Sequence, residues 1–213
     1  MIPPGRRCAA PRPRRAAALV LLAALVLLAG CAAAGPTAVP APTQPPLGVR
    51  ETAYDPPRPA PPLRLTDQDG HPFDLASLRG KPVLVYFGYT HCPDICPATL
   101  ADIRDALRLV EEPVGVVFVT VDPARDDAVA MGQYVGYFGE DFVGLTGTDE
   151  EIAAAAADWG ISYARLDTGS AAGYAMAHST ETYLVDADGT LRHHLFFGAS
   201  PELIAEKIRE VAG

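Results

Sequence analysis

Val83-Leu84-Val85-Tyr86-Phe87-Gly88-Tyr89-Thr90-His91-Cys92-Pro93-Asp94-Ile95-Cys96-Pro97 is the stretch on which the fold turns. Its first six residues form an unbroken apolar, β-rich run, the pattern of a strand buried on both faces of a sheet. From Pro97 to Val110, apolar Leu100, Ile103, Leu107 and Val110 recur at helical spacing. Two cysteines therefore stand where a central strand hands over to a helix. The unpaired N–H groups and partial positive charge of a helix N-terminus stabilise thiolates.

Downstream, Val114 to Val121 reads as a second buried strand, ending in Asp122-Pro123. Asp127 to Phe138 reads as a helix with Val129, Tyr134 and Phe138 toward the core, and Phe142 to Leu145 as a short strand. Asp149 to Trp159 is an amphipathic helix with Thr148 as its N-cap. Ile161 to Leu166 reads as a short extended segment. Thr180–Val185 and Leu191–Phe197 flank Asp186-Ala187-Asp188-Gly189, a hairpin signal, and Pro201 to Val211 closes as a helix. The order predicts an α/β layer architecture with a central mixed β-sheet flanked by helices. Upstream, Asp67, Asp69 and Gly70 resemble part of a calcium loop, but the remaining ligands are missing and the stretch reads as a tight turn.

The amino end is of another kind. Arg6, Arg7, Arg12, Arg14 and Arg15 precede Ala16–Leu28, a run made only of Ala, Val and Leu. A basic segment followed by so short an apolar stretch is an export signal rather than a membrane span. It ends in Leu28-Ala29-Gly30-Cys31, which resembles a bacterial lipobox, so Cys31 is expected to be the lipidated first residue of the mature chain. Residues 31–62 are rich in Pro and Ala and read as an extended tether; residues 63–213 form the globular domain. These features predict a lipid-anchored protein on the extracytoplasmic face of a bacterial membrane. Losing residues 1–30 leaves 12 Lys and Arg against 26 Asp and Glu, a net charge of about −14, which disfavours nucleic acid as a partner.

Of four cysteines, Cys8 lies in the signal and Cys31 takes the lipid, leaving Cys92 and Cys96. A disulfide closing so short a loop contributes only about 2 kcal/mol by the loop-entropy estimate, which argues for chemistry over stapling. One turn of helix would place both side chains on one face, suiting a soft cation or a redox-active disulfide. A copper or zinc site needs a third ligand, and the histidines are His71, His91, His178, His193 and His194. His71 lies in a turn, His91 directly precedes Cys92, and His193 and His194 would point to opposite faces of a strand with surface roles as their default. His178 stands just before a strand that would approach the cysteine loop. Spacing alone leaves it a structural histidine.

Phe87–Pro97, Val121-Asp122-Pro123-Ala124-Arg125-Asp126, and His178-Ser179 ahead of Tyr183-Leu184-Val185-Asp186 together resemble the signatures of the Sco/SenC family, in order. The similarity extends over residues 63–212. The resemblance implies a thioredoxin-like fold and one copper held by Cys92, Cys96 and His178. It implies a metallochaperone, rather than an enzyme, that delivers copper to, or reduces the thiols of, the binuclear copper site of a cytochrome c oxidase subunit, or exchanges copper with another chaperone. It places Asp122, Arg125 and Asp126 in a loop near the site. Many relatives carry an acidic residue before the metal histidine, where this chain has Ala177; Met176 beside it is expected to pack rather than ligate. The alternative is an extracytoplasmic thiol-disulfide oxidoreductase using Cys92 and Cys96 without copper delivery. A monomer is the default.

Overall fold

Val83–Gly88 forms β4, buried along its whole length, and Gly115–Thr120 forms β5 beside it in parallel, equally buried. The computed structural model describes residues 49–170 and 173–213; the export signal, the lipobox and Cys31 lie outside them. Around the central pair an eight-stranded mixed sheet runs β1-β10-β9-β4-β5-β6-β2-β3. Its other strands are β1 (Glu51–Pro59), β2 (Arg64–Asp67), β3 (Pro72–Asp74), β6 (Phe142–Thr146), β9 (Thr182–Val185) and β10 (Thr190–Leu195). β6 joins β5 in parallel, whereas β9 meets β4 antiparallel and continues through the expected turn into β10.

Among the described residues four α-helices accompany the sheet: α1 (Ile95–Leu107), α2 (Ala128–Val135), α3 (Asp149–Trp159) and α4 (Pro201–Ala212). α1 packs on α4 and α2 on β6. Large side chains fully buried among these elements include Leu84, Phe87, Leu100, Ile103, Phe118 and Trp159. Each such burial stabilises by about 1.5–3 kcal/mol before chain entropy is charged against it. Local chemistry sets the helix ends. Thr148 and Glu151 form a reciprocal capping box at the start of α3, and Gly160 closes it in the left-handed conformation. The arrangement is the thioredoxin-like α/β fold that the sequence predicts.

Four expectations change. The stretch read as a tether is strand from Glu51 onward: β1 pairs antiparallel with β10 at the rim of the sheet, where prolines such as Pro56 and Pro57 are tolerated because the outer N–H groups need no partner. Val129 is 66% exposed, and α2 instead buries Met131 and Val135. The extended segment expected over Ile161–Leu166 is present but runs longer and pairs: β7 (Tyr163–Ser170) and β8 (Gly173–His178) form a hairpin, a two-stranded sheet of their own. His193 is not on the surface. It alternates with Leu191 and Leu195 on the buried face of β10, with Nδ1 2.5 Å from Glu51 and Nε2 3.5 Å from Glu210. Its neighbour His194 packs edge-on against Tyr54 and Tyr183.

Candidate metal centre

Cys92 lies in the turn between β4 and α1, and Cys96 in the first turn of α1. The Cys96 backbone N–H, one of the unpaired donors of the helix start, points at Cys92 Sγ from 3.3 Å. Cys96 is fully buried while Cys92 is half-buried, and no disulfide joins them. Gly88, the last residue of β4, makes room for this: a Cβ there would come within 2.9 Å of Cys96 Sγ and 2.8 Å of the Phe118 ring.

His178 reaches the pair from the end of β8, 82 residues away in sequence, with Nε2 3.4 Å from Cys96 Sγ. Its Nδ1 is 2.6 Å from the Ser179 carbonyl. A carbonyl can only accept, so Nδ1 carries a proton and Nε2 is the ring nitrogen left to face the sulfurs as a ligand. The rings of Tyr89 and Tyr86 stand edge-on to it, at 5.8 and 6.3 Å between centroids. The donor atoms of Cys92, Cys96 and His178 all lie within 4.8 Å of one another. Two sulfurs and an imidazole nitrogen fit a soft cation such as Cu(I), or zinc, and suit hard cations poorly.

The two thiols differ sharply in acidity. A hydrogen bond from Cys96, helped by the backbone N–H groups of Asp94 and Cys96, pulls Cys92 down to about 3 against the opposing effect of burial. The same bond, together with burial, pushes Cys96 well above the ordinary thiol range. The pair thus holds one proton, on Cys96, and presents Cys92 as a thiolate.

The loop after β5 buttresses the cysteine turn. Asp126 is fully buried, and its carboxylate accepts from Thr90 N at 2.9 Å, Thr90 Oγ1 at 2.6 Å and Thr120 Oγ1 at 2.7 Å. Three donors offset the cost of burying that charge and hold the chain two residues before Cys92. Asp122 and Arg125 pair at 2.5 Å. His91 remains at the rim, its ring half-exposed and 3.6 Å from Asp126. Ala177 is exposed, so the outer partner of His178 is the Ser179 carbonyl rather than an acidic neighbour; Met176 packs against the core.

Asp67, Asp69 and His71 form a second grouping of potential ligands. There Asp67 Oδ1 already accepts from the backbone N–H groups of Asp69 and His71, and the cluster serves the β2–β3 turn. The roles of Ser179, Gly88 and Tyr89 leave no signature in residue type or spacing. Each depends on contacts between segments remote in sequence.

The SCO1/SenC family model matches residues 52–213. A SCO2-like protein of Rickettsia felis is 34% identical over 151 residues, 69% of this chain and 74% of the relative. The mitochondrial SCO2 homolog of Mus musculus is 41% identical over 150 residues, 68% of this chain and 59% of its own length. Among solved structures, Bradyrhizobium japonicum ScoI with copper bound is 35% identical and superposes with a TM-score of 0.64, over 70% of this chain and 97% of that one. With the cysteine turn, the remote histidine and the sheet order all in place, the chain belongs to the SCO1/SenC family.

Proposed function

We propose that this protein is a membrane-anchored copper metallochaperone that binds one copper ion through Cys92, Cys96 and His178. The convergence of three soft or borderline donors within 4.8 Å carries the reading, supported by the copper held in the related ScoI structure. Copper is cargo here. Cys92, half-buried, is the sulfur an incoming acceptor ligand can displace, whereas Cys96 is buried and releases last. By family resemblance the acceptor is the binuclear copper site of cytochrome c oxidase, and Cys31 carries the lipid that holds the domain at the extracytoplasmic face.

The ionisation of the pair favours a second use of the same sulfurs. The Cys92 thiolate can attack an acceptor's disulfide, forming a mixed disulfide and releasing one acceptor thiolate. Cys96 then gives up its proton and attacks Cys92 Sγ, releasing the second acceptor thiolate. This chain leaves with a Cys92–Cys96 disulfide and the acceptor gains two electrons.

The test is titration of the reduced intact chain with Cu(I) against a chromogenic chelator, beside Cys92→Ser and His178→Ala. One copper per chain, lost with Cys92→Ser and weakened by His178→Ala, is expected. Unchanged stoichiometry and affinity in both variants would remove the three-ligand site. Fatty-acid labelling that persists in Cys31→Ala would remove the anchor.

A further inference from the structure

The third ligand stands on an unusual mount. β7 and β8 pair with each other and make no ladder with the eight-stranded sheet, so sheet register does not position His178. At its base the two strands are closed on each other by Ser179 N to Ser162 O at 2.8 Å and by Ser162 N to Ser179 Oγ at 3.0 Å. Toward its tip another contact ties it down. Alternation along β8 places Tyr174, Met176 and His178 on one face. Tyr174, four residues before the ligand, has two guanidiniums over its ring, Arg125 at 3.7 Å and Arg165 of β7 at 3.6 Å from the centroid. Its hydroxyl donates to Asp122 Oδ1 at 2.7 Å, and its carbonyl accepts from Arg125 Nη1 at 3.1 Å.

We propose that Tyr174 is a positioning residue: held by Arg125 and Asp122 from the loop after β5, with Arg165 of β7 packed on its ring, it pins the β7–β8 hairpin so that His178 stays at the two cysteines. This rests on the copper reading above and adds what holds the third ligand in reach. The grip is anchored in the same place as the cysteine turn. Asp122 is buried, and its backbone N–H donates to Thr120 Oγ1 at 2.9 Å. Thr120 Oγ1 in turn donates to Asp126, the carboxylate that holds Thr90. The end of β5 is thus a common mount for both arms of the site: Asp126 fixes the cysteine arm and Asp122 the histidine arm. Arg125 is suited to the task because its planar fork stacks on an aromatic ring while bonding a carboxylate and a carbonyl together.

The test compares the intact wild-type chain with Tyr174→Ala, Tyr174→Phe and His178→Ala. Copper affinity is read by chelator competition, and the nitrogen coupling of the Cu(II)-loaded protein by electron paramagnetic resonance. Amide hydrogen exchange at residues 173–178 is read without metal. Tyr174→Ala should keep the circular dichroism of the wild type, lose roughly 10- to 100-fold in copper affinity, and show the nitrogen coupling weakened as in His178→Ala. Its hairpin amides should exchange faster. Tyr174→Phe keeps the ring under the guanidiniums and should recover most of the affinity. Wild-type affinity and nitrogen coupling in Tyr174→Ala would overturn the proposal. If that variant does not fold, Tyr174→Phe combined with Arg125→Gln removes the hydroxyl bond to Asp122 and the guanidinium that reaches Tyr174 from the loop after β5, and is judged by the same outcomes. A wild-type chain that takes up no copper would overturn the metal reading instead, and the clamp would then stand or fall on the exchange of amides 173–178.

Discussion

At Cys92 and Cys96 one hydrogen bond decides which sulfur reacts. Because Cys92 is drawn down to about 3, its thiolate persists from weakly acidic to neutral pH, where an ordinary cysteine gains about tenfold in thiolate for each unit of pH. The rate of alkylation of reduced protein by iodoacetamide should therefore be nearly flat between about pH 5 and 8. Cys96→Ala removes the donor, raises Cys92 and should restore a rate that climbs with pH. A wild-type rate rising tenfold per unit would contradict the assigned proton. The cysteine pair is legible in the sequence because both members sit within one short turn. His178 is not: it is 82 residues from Cys96, and family resemblance rather than spacing singles it out.

Among elements, α1 comes close to the end of β4 at Gly88. Gly88→Ala would place a methyl within 2.9 Å of Cys96 Sγ and 2.8 Å of Phe118, so either the sulfur or the ring must move. The expected cost is about 1–3 kcal/mol in denaturant unfolding, together with a weakened copper site. Full stability and affinity in that variant would show that the junction yields more than its packing indicates. Elements with strong local signals are the ones sequence reading places well. β4 is a pure apolar run, and α3 carries its own capping box from Thr148 to Glu151. The β7–β8 hairpin escapes such reading because it covers no strict inside and outside: residues 174–176 are all half-buried, and the alternation that marks a half-buried strand is missing. β1 escapes for the opposite reason, since its prolines belong to a rim strand yet look like a linker.

For the whole molecule, stability on acidification has an identifiable source in His194. Burial, with a smaller push from Arg58, lowers it from the ordinary 6.5 to about 4. Below pH 6.5 the unfolded chain binds a proton that the folded one refuses until about 4, so the contribution of His194 should fall across that window and stay level above it, separate from that of Cys92. Solvent screening of the partly exposed ring trims the loss to roughly 2 kcal/mol. His194→Phe keeps a ring against Tyr54 and Tyr183 but cannot titrate; its unfolding free energy should start lower and vary less over the same range. An equal slope in both proteins would assign the dependence elsewhere.

The pairing of β1 with β10 also shortens the leash. Were Cys31 to carry the lipid as proposed, the 19 residues between Cys31 and Glu51 would span at most about 65 Å even when fully drawn out. The proposed anchor would then keep the domain in a thin layer above the bilayer instead of a volume. A partner embedded in the same membrane is met at a high local concentration, and one adrift in the bulk gains nothing from the tether.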